Sequence, residues 1–169
     1  MGLYTVAYNI SSFVEKVNRA LRNAYAPTML QYLKGGHGKN KIINFTILFT
    51  VFVLLLAIAI TMVCYYFDYI IFGESYKGIW KIVLFISLGF AFIGIYGTFG
   101  SALEYYKLTN KKAKISIYSA IINISVSLSL IPLFGYIAPA IGTMASLFVI
   151  PVAAYIYISK EFKEREVLD

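Results

Sequence analysis

Four ionisable residues near the start of the chain have the types and the spacing of an anion-binding stripe. Glu15, Lys16, Arg19 and Arg22 lie within about 120° of arc if this region is helical, because successive helix residues are about 100° apart. Arginine can bind a phosphate through two parallel hydrogen bonds, and lysine offers a point charge. Glu15 and Arg19 are also spaced for an ion pair. The sequence therefore predicts a cationic stripe that faces an anion. The alternatives are pairing with acidic residues of other helices and extension of the side chains to the lipid headgroups.

Residues for catalysis or metal binding do not form any recognisable pattern in the sequence. The chain has one cysteine, Cys64, inside an apolar run, and one histidine, His37, among glycines. Paired carboxylates, a nucleophile with a neighbouring base and a cluster of metal ligands are all missing from it. We therefore expect no catalytic residue, no metal, no cofactor, no enzyme activity and no nucleic-acid partner.

The element that must position the stripe is a long apolar run that follows it. Ile42–Phe67 contains 26 residues without a charge, a glycine or a proline. As a helix it would be roughly 39 Å long, and a hydrocarbon bilayer core is about 30 Å thick. Its few polar side chains can bond to carbonyls of the same helix or to neighbouring helices. The run is predicted to cross a membrane.

Composition extends this prediction to the whole chain. Of the 169 residues, 60% are hydrophobic and 14% are charged, whereas soluble domains carry about 25% charged residues. The mean hydropathy is +0.75. We expect one all-α integral membrane domain whose five spans and cytoplasmic tail cover about 3–31, 42–70, 79–104, 115–133, 139–159 and 160–169.

Three prolines and a glycine series refine the expected helices. Pro27 should kink or end the first helix, Pro132 should open a tight turn, and Pro139 should lie in the first turn of the last helix. The glycines of the third span recur at helical spacing and predict close helix packing; they are Gly89, Gly94, Gly97 and Gly100.

Basic residues are concentrated in alternate loops. If all five segments cross, one side carries ten lysines and arginines, and the other side carries only Lys77 and Lys81. The positive-inside rule places the ten, and the C-terminus, in the cytoplasm. The ten are Lys34, Lys39, Lys41, Lys107, Lys111, Lys112, Lys114, Lys160, Lys163 and Arg165.

The charged stripe conflicts with this topology when the first segment is taken alone. Each charge near a span's centre costs about 2.5–3.5 kcal/mol even on the lenient insertion scale. Two interpretations remain open. Either a further part of the protein precedes this segment, or the segment lies on the cytoplasmic surface as a basic amphipathic helix and leaves four spans.

Several stretches of the chain form an ordered series of motifs. Gly2–Met29 opens with Gly-Leu-Tyr and closes with Ala-x-x-Pro, and Phe72–Tyr76 reads Phe-Gly-x-x-Tyr. Ser101–Gly135 holds a lysine-rich loop, an asparagine-containing helix and an Ile-Pro-x-x-Gly turn. In this order the motifs resemble those of bacterial polysaccharide (O-antigen) flippases, within the exporter group that also contains multidrug exporters. After Gly135 the usual Gly-Ala-Ala is replaced by Ala138, Pro139 and Ala140.

The resemblance implies a fold, a substrate and a partner. Such proteins have two six-helix lobes around a cavity that opens alternately to either side, and they move undecaprenyl-diphosphate-linked oligosaccharide across the cytoplasmic membrane. The five segments would match the last five of twelve helices, so most of a C-terminal lobe. A missing N-terminal lobe would come from the same or a separate chain, and membrane lipids would surround both.

Three other functions are alternatives at this point. The chain could be a truncated, inactive fragment, because one lobe cannot enclose a cavity between lobes. It could be related to multidrug exporters. A membrane glycan polymerase or transferase is the third alternative, although the short outer loops offer only Asp68 and Glu74 as acids.

Overall fold

The part of the chain that the structure describes folds into five α-helices. The computed structural model describes residues 2–34, 38–67 and 76–166, with the side chains of 38–40 and 164–166 left out. The helices are α1 (Gly2–Lys34), α2 (Gly38–Tyr66), α3 (Ile79–Tyr105), α4 (Thr109–Phe134) and α5 (Ala138–Glu166), and a 3₁₀ turn (Gly135–Ile137) joins the last two. The expected all-α class is confirmed.

Three helical stretches are long and apolar enough, by length and composition, to cross a membrane. They are Lys41–Tyr66, Ile79–Tyr105 and Thr109–Lys163, and the third contains both α4 and α5. Among the described residues, α1 is long enough but not apolar enough to be such a stretch, because its charged stripe lowers its mean hydropathy. The structure therefore supports three candidate spanning stretches and not a count of five crossings.

Helix α3 is the central element of the fold. It packs against α1, α2 and α5, whereas α4 packs almost entirely on α5. The predicted role of the glycines is confirmed at three positions: Gly94 and Gly97 admit side chains of α1, and Gly89 admits Met144 and Leu147 of α5. A Cβ on Gly100 would meet only Tyr96 of the same helix, so there the prediction was wrong.

Contacts between helices show that α1, α3 and α5 run in one direction. Ser11 reaches Val83 and Asn18 reaches Phe90, so α1 and α3 advance together. Phe92 packs on Phe148 and Phe99 on Tyr155, so α5 advances with them. This arrangement gathers the described basic residues of alternate connections at one end of the bundle; they are Lys34, Lys41, Lys107, Lys111, Lys112, Lys114, Lys160 and Lys163.

Helix α2 runs opposite to α3, and α4 runs opposite to α5. Thr46 contacts Thr98 while Tyr65 contacts Trp80, which is the crossing pattern of antiparallel neighbours. The start of α1 lies at the end away from the lysines, where a Cβ on Gly2 would be 3.6 Å from the Tyr76 hydroxyl. The bundle thus has one basic end and one end with few charges among the described residues.

Several helix boundaries differ from the predicted ones. Helix α1 continues through Pro27 to Lys34, and α4 continues through Pro132 to Phe134. Each proline removes one backbone amide donor from its helix. The helix still continues on both sides of the proline, because α1 packs lengthwise on α3 and α4 packs lengthwise on α5. Helix α2 ends at Tyr66. Residues 35–37, 68–75 and 167–169 lie outside the described residues, and so does the predicted end of the second span near residue 70.

Several polar side chains inside the bundle bond either within a helix or across to the next one. Thr46, Thr50 and Thr61 donate to carbonyls one turn earlier in α2, as expected. Helix α4 contains both kinds of bond. Ser116 bonds to Lys112, but Ser119 donates across to the Ser146 carbonyl of α5 at 2.9 Å. Interhelical bonds therefore join α4 to α5.

Candidate anion-binding site

The stripe is positioned by the packing of α1 along α3. Ala7, Ser11, Val14, Asn18 and Met29 form the buried face of α1. Their spacing of three, four and seven residues repeats on one side of the helix. This seam consists mostly of small or polar residues, so the backbones of α1 and α3 approach closely where α3 carries glycines.

Asn18 is the central contact of this seam. A Cβ built on Gly94 would lie 2.5 Å from Cγ of Asn18, so the asparagine occupies space that only glycine leaves free. Its Nδ2 donates to the Phe90 carbonyl at 2.8 Å, while its Oδ1 is buried without a partner. Gly94 is close to the middle of α3, which places the neighbouring Arg19 near mid-length of the bundle.

The apolar face of α1, opposite the stripe, is not the face that α3 covers. By helical spacing this face consists of Ile10, Phe13, Val14, Val17, Leu21 and Ala24. Only Val14 of these is buried, and Phe13 is 55% exposed. The polar stripe borders the seam on one flank, and the exposed apolar face borders it on the other. Helix α1 therefore has three faces: a seam, a charged flank and an apolar flank.

Two of the four predicted residues form an ion pair. The guanidinium of Arg19 donates to the carboxylate of Glu15, with side-chain exposures of 62% and 30%. An exposed pair at this spacing contributes only about 0.3–0.5 kcal/mol in water. So small a contribution to helix stability does not by itself explain why this ion pair lies at mid-length of the bundle. Lys16 is exposed on the same flank and, in the part of the chain described, makes no ion pair.

Arg22 is held by the second glycine of α3. A Cβ on Gly97 would be 2.8 Å from Cδ of Arg22, so the aliphatic stem lies directly on the glycine. Across residues 2–34, 38–67 and 76–166 no acidic side chain pairs with Arg22. Contact with Gly97 holds the aliphatic part of the Arg22 side chain in place, and Arg22 remains exposed on the charged flank.

A second charged group lies beyond Arg22, toward the basic end. Lys112 of α4 forms an ion pair with Glu104 of α3. Charged side chains of α3 and α4 therefore lie beyond Arg22, toward the basic end.

The structure brings the four predicted residues to one flank, with unequal roles. Arg19 is partly neutralised by Glu15, whereas Lys16 and Arg22 keep their charge. Sequence reasoning identified the glycines of α3 but missed that Gly94 receives Asn18 and that Gly97 receives the Arg22 stem. The signal that could have found these contacts is the spacing of three and four residues between Ala7, Ser11, Val14 and Asn18, of which all but Val14 are small or polar.

No part of the described chain brings together three His, Cys, Asp or Glu side chains that could hold a metal ion. His37 lies outside the described residues. Chemically, the flank offers fixed positive charge and hydrogen-bond donors, which suit an anion such as a phosphate. Comparison of the chain with models of protein families, with curated proteins and with solved structures finds no match in any of the three.

Proposed function

We propose that the chain is a multi-pass protein of the bacterial cytoplasmic membrane that forms most of the C-terminal lobe of a polysaccharide flippase. Its cargo would be an undecaprenyl-diphosphate-linked oligosaccharide, moved from the inner to the outer leaflet without catalysis. The charged flank of α1 would face the cavity between this lobe and a second one. The order of the motifs that resemble the family supports this assignment.

One observation carries the proposal. Arg22 and Lys16, without acidic partners among the described residues, stand on the exposed flank of a helix packed lengthwise against the apolar α3. Charges at such a depth are costly in lipid, so they mark a pathway for an ion or a polar substrate. A diphosphate carried through lipid requires cationic cover of this kind.

We propose a membrane location with five crossings, for which the helices would have to alternate in direction as α1 to α5 do. Helix α1 lies alongside α3, which disfavours the alternative of a surface helix across the end of the bundle. The common direction of α1, α3 and α5 gathers the basic residues at one end, which the positive-inside rule assigns to the cytoplasm. We propose an external N-terminus and a cytoplasmic C-terminus on this basis.

Binding of a short prenyl diphosphate tests the function on the chain itself. The purified protein in detergent is titrated with farnesyl diphosphate and, separately, with farnesol, and heat release is measured. We expect saturable binding of the diphosphate only. Arg22→Ala should weaken it about tenfold or more, since a hydrogen bond to a charged group contributes about 1.5–3 kcal/mol.

Lys114→Ala is the matched control, because Lys114 is an exposed lysine of the same end but lies on α4, away from the flank. It should bind like the unmodified protein. Equal binding of farnesol and farnesyl diphosphate, or unchanged affinity in Arg22→Ala, would remove the flank from any role in carrying a diphosphate.

A further inference from the structure

A second candidate binding site lies on the apolar flank of α1, away from the charged stripe. Helices α1 and α2 contact each other much less than each contacts α3, so a groove opens between them. Its volume is about 480 Å³. Helix α1 contributes Leu21, Ala24 and Tyr25 to the lining.

Helix α2 closes the groove with an entirely apolar wall. Phe45, Leu48 and Phe52 line it, and Phe45 stacks on Tyr25 with ring centroids 3.3 Å apart and planes 5° apart. Leu48 is 69% exposed, so the groove is open along its side. Its lining extends over about 10 Å of α2, from Phe45 to Phe52, at about 1.5 Å per residue.

The mouth of the groove carries positive charge. Lys41 is four, seven and eleven residues before the three α2 residues of the wall, so it lies on the same face of the helix. Its Nζ is 4.3 Å from the ring centroid of Tyr32, which lies on the Tyr25 side of α1. A cation held over an aromatic ring thus joins the two helices roughly one turn beyond the groove, at the basic end of the bundle.

We propose that this groove binds an anionic phospholipid of the surrounding bilayer, with an acyl chain along the apolar wall and the phosphate at Lys41. The distribution of charge supports this occupant. The wall has no charged side chain, which suits an acyl chain, and Lys41 lies about one turn beyond its end, where the phosphate of the same lipid would lie. The proposal rests on the membrane location proposed above but is independent of transport and of the stripe.

Bromine quenching of a tryptophan in the wall tests the proposal. Trp80 is the only tryptophan, so Trp80→Phe gives a silent background into which Leu48→Trp is placed. The protein is reconstituted in phosphatidylcholine vesicles with a minor fraction of phosphatidylglycerol that is brominated on its acyl chains. Ile47→Trp is the matched control, because Ile47 is adjacent, 59% exposed and not part of the lining.

Brominated phosphatidylglycerol should quench the groove tryptophan more strongly than the control. Brominated phosphatidylcholine should quench the two equally. We expect an apparent enrichment of phosphatidylglycerol at the groove of about fivefold, the factor given by about 1 kcal/mol per lysine near an anionic surface. Lys41→Ala should abolish it, Lys41→Arg should keep it, and Lys114→Ala should leave it unchanged.

Other outcomes would overturn the proposal in distinguishable ways. Equal quenching of both tryptophans by phosphatidylglycerol would mean no lipid site, and weaker quenching at Leu48→Trp by both lipids would indicate a protein partner in the groove. If the enrichment of phosphatidylglycerol at the groove persists in Lys41→Ala, then Lys41 does not bind the phosphate. If neither brominated lipid quenches either tryptophan, the membrane location itself is wrong.

Discussion

Asn18 of α1 occupies the space beside Gly94 of α3, and its Nδ2 donates to the Phe90 carbonyl one turn earlier at 2.8 Å. This contact joins the helix that carries the charged residues to the centre of the bundle. It also sets the depth of Arg19, the next residue along α1. The orientation of the candidate site therefore depends on a glycine that bears no functional group.

Replacement of Gly94 by alanine should destabilise the protein by about 1–3 kcal/mol, the usual cost of overpacking a filled interface. The added Cβ would be 2.5 Å from Asn18. Thermal unfolding in detergent measures the effect. Gly100→Ala is the control, because its Cβ would meet only Tyr96 at 3.8 Å. Asn18→Ala combined with Gly94→Ala should recover part of the loss, and equal melting of the two single variants would contradict the contact.

The interface between α4 and α5 should depend on its hydrogen bonds. Asn123 Nδ2 donates to the Ser146 hydroxyl at 3.1 Å, next to the bond from Ser119. Asn123→Leu should lower the free energy of unfolding by about 0.6–2 kcal/mol, the range for such bonds between helices in membranes. Ser125→Ala, at an exposed position of α4, should have no effect. A stability of Asn123→Leu equal to that control would show that the Asn123 bond does not stabilise the interface between α4 and α5.

Transport should depend on Arg19 and Arg22 in the full assembly that contains this chain. Arg19→Ala and Arg22→Ala should each lower glycan export about ten- to a hundredfold at constant protein level, from about 1.5–3 kcal/mol per bond to a charged group. Arg19→Lys should recover only part, because the planar fork is lost. Export is measured relative to the amount of protein in the membrane.

Glu15 separates a substrate role of Arg19 from a structural one. If Arg19 serves only to neutralise Glu15, Arg19→Ala will lower the amount of protein, and adding Glu15→Gln will restore it. If Arg19 contacts substrate, Glu15→Gln will not rescue export. Normal export by Arg19→Ala at normal abundance would remove this residue from the site.

The orientation can be tested with topology reporters. A fusion at Lys112 should report the cytoplasm, and a fusion at Lys77 should report the outside, because basic residues gather at the Lys112 end. A fusion after Lys163 should agree with Lys112. A cytoplasmic signal at Lys77 would reverse the proposed topology.

The helical class and the approximate segments could be predicted from the sequence alone, because they depend on local hydropathy. Ile42–Phe67 carries no charge, glycine or proline, and an apolar run of this length favours one long helix. The grouping of Glu15, Lys16, Arg19 and Arg22 on one flank also follows from helical spacing. The ion pair between Glu15 and Arg19 was predictable for the same reason.

Other features depended on which helix packs where. Periodicity indicated one polar and one apolar face of α1, but α3 covers neither of them and packs on the small seam around Asn18. Close approach in the bundle is limited by side-chain volume, so Gly94 and Gly97 determined the packing face more strongly than hydrophobicity did. That choice leaves Arg22 without an acidic partner in the described chain and Arg19 with one, and it opens the groove between α1 and α2. The contacts between α1 and α3 join residues that are far apart in the sequence. Asn18 and Phe90 are 72 positions apart, and so are Ser11 and Val83, so only tertiary packing can bring them together.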